Sequence, residues 1–280
     1  MPTAASKTKK RANPSATAKS KRVPVQSVAP KKKEQPLDET ARFNRDGCIA
    51  IENAFDPAFV AELAAAHAES LKDWKSRQIV VGGFRFMVTF ELKGPFLDER
   101  LLANPRVFPL IQSVLGKDCV LDNVTSVVAL PRAPAQHVHK DGMPLFSDAA
   151  GASLPCHALT LVIPFIDLTP STGTTALYPG THREPLTEEV PKGEPMLPYM
   201  KVGGCYLMDY RLIHLGTANT GTETRPILYV VYSRPWFTDF SNFTELPPLR
   251  VAPESLPKMS GQMQWLFSRP KIAADHARHG

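Results

Sequence analysis

The chain has 280 residues, 43% of them hydrophobic, which is enough for a packed core and too many for a disordered protein. Its 27 prolines argue against long uninterrupted helices and for short strands with many turns. The formal charge of +6 is unevenly placed: residues 1–36 hold ten Lys or Arg against one acid, Glu34, while the remainder holds 23 basic and 26 acidic side chains and is nearly neutral.

Residues 1–36 read as a basic, low-complexity, disordered tail, with weak contact to nucleic acid or an anionic surface as the alternative. The tail shares its richness in Arg, Lys, Ser and Ala with organelle transit peptides. Its Lys31-Lys32-Lys33 run and its prolines interrupt the amphipathic helix such peptides form, so a cytoplasmic location is expected and import is the minor alternative. No apolar run is long enough to span a bilayer. Cys48, Cys119, Cys156 and Cys205 lie far apart and form no C-x-x-C pair, which excludes zinc-ribbon and redox spacing.

Residues 37–280 are expected to form a single domain, with a helical N-terminal part (37–117), a β core (118–235) and a C-terminal extension (236–280). Asp38 can cap a short helix through about Asn44, and Asp46-Gly47 turns into a strand, Cys48–Ile51. Asp56-Pro57 reads as N-cap and first helical position. The apolar stripe Phe59, Val60, Leu63, Ala66, Leu71 then predicts a helix to about Lys72. Residues 79–92 are rich in β-formers and predict a strand or hairpin bent at Gly82-Gly83, with Phe84, Phe86, Val88 and Phe90 on one face. Residues 98–115 predict a helix that Pro105 and Pro109 divide, with Gly116 as its C-cap. Short strands are then expected at 119–130, 135–141, 157–167, 174–178, 202–209, 213–217 and 226–233, and a short helix near 258–267. Helices first and many short strands afterwards predict a mainly β protein with flanking helices, built as a double-sheet jelly roll.

Four residues stand out chemically. His139 and Asp141 are two apart, so a strand would aim both side chains the same way. His214 is isolated in the apolar run Leu212–Gly216, and Arg225 follows eleven residues later. Two histidines and one carboxylate are the ligand set of non-haem Fe(II) oxygenases. The working assignment is that His139, Asp141 and His214 hold iron and that Arg225 binds an acidic co-substrate, since a guanidinium fork suits a carboxylate. His137 shares the face of His139, so a His137/His139 zinc pair stays open. So do a core role for His214 and a surface role for Arg225. His182, in the turn Pro179–Arg183, reads as structural.

These residues resemble the phytanoyl-CoA dioxygenase-like Fe(II)/2-oxoglutarate oxygenases over roughly residues 40–235. Phe43-x-x-Asp46-Gly47-x-Ile49-x-Ile51 with Phe55-Asp56-Pro57 resembles the family's opening strand and helix. Gln136-x-x-His139-x-Asp141 resembles its first metal motif. Thr172-Gly173 followed by Pro179-Gly180-Thr181-His182-Arg183 resembles its Asn-Gly…Pro-Gly-Ser-His segment, with Thr172 and Thr181 as departures. Gly203-Gly204-Cys205 through His214, Gly216, Asn219 and Arg225 resembles its closing block. Val138 stands where the family often has an aromatic residue.

The resemblance implies a double-stranded β-helix (cupin-like jelly roll), Fe(2+) on His139, Asp141 and His214, and the distal carboxylate of 2-oxoglutarate on Arg225. Gln136, Thr160 and Asn123 or Thr125 are its further co-substrate positions. It implies a dioxygenase that consumes O2 and 2-oxoglutarate, releases succinate and CO2, and hydroxylates a C–H bond of a small organic molecule. Asp141 favours hydroxylation, since related halogenases carry a small residue there. Loops 142–156 and 184–199 are expected lids, and Arg132, Lys140, Tyr178 and Trp236 are expected near the substrate. The alternatives are a protein or nucleic-acid oxygenase docked by the tail, and a non-enzymatic cupin-like protein holding zinc or nothing.

Overall fold

The structure, a computed structural model, describes residues 38–72, 78–142, 145–146, 149–185, 189–237, 239, 249–251 and 260–268. The reading of residues 1–36 as a tail lies outside them. Helix α1 (Glu39–Asp46) starts where the Asp38 carboxylate accepts the Ala41 N–H. It runs two residues past the expected Asn44 and stops at Gly47, whose φ of 72° favours a residue without Cβ. Strand β1 (Cys48–Ile51) follows. Helix α2 (Pro57–Ser70) is capped by Asp56 and ends slightly before Lys72.

Residues 79–92 form β2 (Gln78–Gly82), β3 (Arg85–Val88) and the two-residue β4 (Glu91–Leu92). The turn of this hairpin falls on Gly83-Phe84, one residue later than expected. Phe84 takes a positive φ of 53° and is left half-exposed, outside the apolar face its spacing predicted. The 98–115 stretch does divide, into α3 (Glu99–Leu102) and α4 (Phe108–Leu115).

Beyond these come β5 (Val120–Ala129), α5 (Ala149–Ser153), β6 (Ala158–Pro164), β7 (Thr175–Leu177), β8 (Cys205–Asp209), β9 (His214–Gly216), β10 (Arg225–Ser233), β11 (Arg250–Val251) and α6 (Gly261–Leu266). The strand expected at 135–141 is a correction. This segment runs beside β9 but forms one ladder bridge, at His139. The Gln136 side chain intervenes: its Oε1 accepts the Gly216 N–H at 2.9 Å, a bond a regular ladder would give to a backbone carbonyl.

Seven strands make one antiparallel sheet in the order β1-β8-β6-β10-β5-β3-β2. Its alternation sorts two faces. Leu161, Ile163, Leu228 and Val230 face outward and pack with Phe59, Leu63, Leu101 and Ile111 of the helices. The other face carries Val127, Val162, Tyr206 and Met208, which pack with Leu177 of a second, smaller layer. That layer is β7 paired with β9, flanked by bridges at Leu177–Met196 and His139–His214. Two facing antiparallel layers with helices outside make the expected jelly roll. Among the described residues no helix is long and apolar enough to cross a membrane, and all four cysteines are buried and free.

Candidate metal centre

The small layer brings two histidines together. The backbones of His139 and His214 exchange both N–H···O bonds at 2.9 Å, which places their rings 4.3 Å apart at the centroids. Each ring is then fixed from behind. His139 Nδ1 lies 3.0 Å from the carbonyl of His137, and His214 Nδ1 lies 3.0 Å from that of Leu212. A proton on Nδ1 satisfies each carbonyl and leaves the Nε2 lone pair for a metal. Burial, reinforced by His214, holds the His139 pKa below the ordinary imidazole value, which keeps the ring neutral.

Asp141 completes the group. Its Oδ1 is 3.5 Å from His214 Nε2, and ligand atoms of His139, Asp141 and His214 all lie within 4.8 Å of one another. His137 does not join this cluster. It is exposed, and its backbone carbonyl, not its ring, serves the site. The intervening Lys140 is buried and donates to the carbonyls of Thr181 (3.1 Å) and Glu184, tying the ligand segment to the 181–184 turn. Gly142 follows because a Cβ there would sit 2.4 Å from the Tyr210 ring.

A cavity of about 840 Å³ opens from the three ligands. Gln136, Thr125 and Thr160 line it. The Thr160 hydroxyl is buried without a partner, whereas the Gln136 amide is engaged at both ends, its Nε2 donating to the carbonyl of Val81 at 2.9 Å. Asn123 shares the inner face with Thr125 but does not line the cavity. Tyr178 packs with Val138, Ala176 and Ile213 in a small apolar cluster and does not line the cavity. His182 is buried against Gly47, consistent with a structural role.

Arg225 is buried at the start of β10, beyond the cavity lining. Its Nη1 donates to the carbonyl of Thr172 at 2.9 Å and reaches that of Thr217 at 3.5 Å. Sequence reasoning missed a second arginine, Arg85. Register explains the pairing: both Arg85 on β3 and Arg225 on β10 lie opposite Ala129 of β5 and so share one face of the sheet. Arg85 Nη2 donates to the carbonyls of Pro134 (2.9 Å) and Thr217 (3.0 Å). Each guanidinium keeps a buried Nε without a partner, and no carboxylate among the described residues pairs with either. Burial, then the mutual repulsion, pulls the Arg85 pKa down to about 10, still fully charged at neutral pH. Glycines make room for both heads. A Cβ on Gly216 would lie 2.3 Å from Arg85 Nη1, and one on Gly173 would lie 2.4 Å from Arg225 Nη1.

The phytanoyl-CoA dioxygenase (PhyH) family matches residues 43–227. Multifunctional dioxygenase prhA of Penicillium brasilianum is 26% identical over 251 residues, covering 81% of this chain and 80% of that one. Dioxygenase af480 of Aspergillus fumigatus is 26% identical over 163 residues, or 57% of this chain, and the chain spans about half the length (52%) of that relative. Among solved structures, HygX from Streptomyces hygroscopicus, with nickel, 2-oxoglutarate and hygromycin B, superposes with a TM-score of 0.59 at 13% identity over 74% of this chain and 90% of that one. The epimerase SnoN from nogalamycin biosynthesis, described as non-heme and alpha-ketoglutarate dependent, gives 0.56 at 20% identity over 70% and 81%. These likenesses are of fold. The family match spans most of the chain and includes all three clustered ligands, so the chain belongs to the phytanoyl-CoA dioxygenase family.

Proposed function

We propose that this protein is an Fe(II)- and 2-oxoglutarate-dependent dioxygenase that hydroxylates a C–H bond of a small organic molecule. The observation that carries the reading is the convergence of His139, Asp141 and His214 with both imidazole Nδ1 atoms already committed to backbone carbonyls. Two imidazoles presenting Nε2 and one Asp side chain suit Fe(II) and would leave the other face of the ion open. The two buried guanidiniums without a carboxylate supply what a dicarboxylic co-substrate needs, and Arg225 is the residue assigned to its distal carboxylate. Thr160, Thr125 and Gln136 line the same cavity as co-substrate neighbours. Of the alternatives Asn123 and Thr125, Thr125 lines the cavity and Asn123 does not.

When bound, iron with 2-oxoglutarate and O2 supplies the oxidising power, with succinate and CO2 as co-products. The chain's own work is placement. The reciprocal His139–His214 backbone bonds fix two ligands against each other. Lys140 anchors the segment between His139 and Asp141. The inner sheet face excludes water with Val127, Val231 and Met87.

The test is an anaerobic titration of the full chain with Fe(II) and 2-oxoglutarate, following the metal-to-ligand charge-transfer absorption. The expected result is a saturable band that His139→Ala removes, together with succinate formation that requires O2. Tight zinc binding with no affinity for 2-oxoglutarate would refute the proposal.

A further inference from the structure

The cavity that starts at the metal ligands ends on an uncharged strand. β2 is the last strand of the large sheet, so one of its edges pairs with nothing among the described residues. Ile79, Val80, Val81, Gly82 and Gly83 all line the cavity. Ile79 stands opposite Met87, and Met87 opposite Val127, so three apolar side chains form one cross-strand row along the wall. Val80 is 68% exposed and Phe84 49% exposed beside it. From Ile79 to Phe84 no side chain is charged or can hydrogen-bond. Exposed sheet edges are ordinarily blunted by charges or proline, and exposed apolar surface marks a binding site. Residues Ile79 to Gly83 carry no charge or proline, and all of them line the cavity; the nearest charge recorded beside them is Arg132, whose guanidinium lies over the Phe84 ring at 5.4 Å.

Charge is confined to the other end. Among the described lining residues, histidines aside, only Lys140 and Asp141 are ionisable acids or bases of the Lys, Arg, Asp or Glu kind. Asp141 belongs to the metal cluster, and Lys140 is spent on the carbonyls of Thr181 and Glu184, so neither is free to meet an ionic substrate. The volume, about 840 Å³, lies toward the upper end of the range of about 300–1,000 Å³ for sites of drug-sized ligands, which leaves room beyond a small keto-diacid.

We propose that the substrate is an uncharged, predominantly apolar molecule of drug-like size that lies along Ile79, Val81 and Met87, with the reacting carbon at the metal end. This rests on the iron reading for its chemistry but not for its binding wall. A polyhydroxylated or ionic molecule would leave its polar groups against that wall without partners.

The test uses the full chain and Nile red, an uncharged apolar dye, with and without Fe(II) and 2-oxoglutarate. Saturable dye fluorescence is expected, displaced by progesterone, an uncharged polycycle, and not by hygromycin B or decanoate at tenfold higher concentration. Ile79→Glu places a charge on the cavity-facing row and should weaken dye affinity at least fivefold, whereas Ile79→Leu should preserve it. Displacement by hygromycin B or decanoate, no saturable dye binding, or equal dye affinity in Ile79→Glu would each overturn the proposal. If the dye results hold and no charge-transfer band forms, the iron reading fails and the apolar wall stands. If the band forms and the dye results fail, the reverse follows.

Discussion

Three buried arginines are treated differently by the fold. Arg211, three residues before His214, meets a carboxylate: its Nε and Nη2 reach Asp209 at 2.9 and 2.8 Å, and both side chains are 2% exposed. Its Nη1 holds the carbonyl of Leu154 at 3.1 Å, which pins the segment after α5. Arg225, eleven residues after His214, meets only carbonyls, and so does Arg85 beside it. One guanidinium is completed by the chain, and the other two leave a demand for negative charge. A buried cation without an anion is costly, so the second arrangement is intelligible as a binding site and the first as a structural one.

The contrast is broken most severely by removing one partner of the completed pair. Asp209→Asn should leave Arg211 uncompensated and cost about 3–5 kcal/mol, a fall of roughly 10 °C in Tm for a domain of this size. Arg225→Met should cost under about 2 kcal/mol, because the Thr172 and Thr217 carbonyls lose a donor while an unpaired buried charge disappears. Thermal melts of the two variants without ligand compare them directly. Equal losses would mean that Arg225 is as structural as Arg211.

Buried imidazoles offer a second form of the same comparison. His67 sits with Nε2 2.7 Å from the Ser126 hydroxyl, whereas both ring nitrogens of His157 are without partners. Burial pulls each pKa from 6.5 to about 4. The unfolded chain therefore binds more protons than the folded one between those values. The stability they contribute is complete above pH 6.5 and is lost as pH falls through about 4, by about 3 kcal/mol for each ring. Urea melts across pH 4–7 should show this slope, and His67→Leu should reduce it. A stability that is flat between pH 6.5 and 4.5 would contradict the assignment.

Ligand linkage sharpens the arginine contrast without touching the fold. If Arg85 and Arg225 await a dicarboxylate, 2-oxoglutarate with Fe(II) at a hundredfold excess over Kd should stabilise the protein by about 2.7 kcal/mol, which raises Tm by roughly 5–10 °C. In Arg225→Met that rise should vanish at the same concentration. A full rise in the variant would remove Arg225 from the co-substrate site.

How much of this was legible in the sequence depends on the kind of signal. The ligands were readable because His-x-Asp and a later isolated histidine sit in order, and chain order survives folding. The fold class was readable because short β-runs between turn residues repeat from 119 to 233. Arg85 was hidden, since it lies between Phe84 and Phe86 in a stretch whose even positions looked like the buried face. The turn at Gly83-Phe84 exposes Phe84 instead, and register on Ala129 turns Arg85 inward toward Arg225. Register is a property of three paired strands, and no local pattern in one of them encodes it. Gln136 illustrates the same limit. Its place in the metal motif was visible, but not that its side chain substitutes for a backbone group and so ends the strand expected there.

Gly216 provides the gentlest way to probe the unpaired arginines. It needs no special φ, so only space forbids a side chain, and a Cβ would lie 2.3 Å from Arg85 Nη1 and 2.5 Å from Gln136 Oε1. Gly216→Ala must push the guanidinium aside while leaving its charge and the three metal ligands in place. Overpacking of this kind costs about 1–3 kcal/mol, and a flexible head group places it near the lower end. If Arg85 shares the co-substrate carboxylate, the variant should bind 2-oxoglutarate several-fold more weakly by charge-transfer titration and retain its Fe(II) stoichiometry. If Arg85 only braces the carbonyls of Pro134 and Thr217, the variant should lose stability with 2-oxoglutarate affinity unchanged. The two outcomes separate a ligand-facing arginine from a second structural one, the distinction that Arg211 and Arg225 pose.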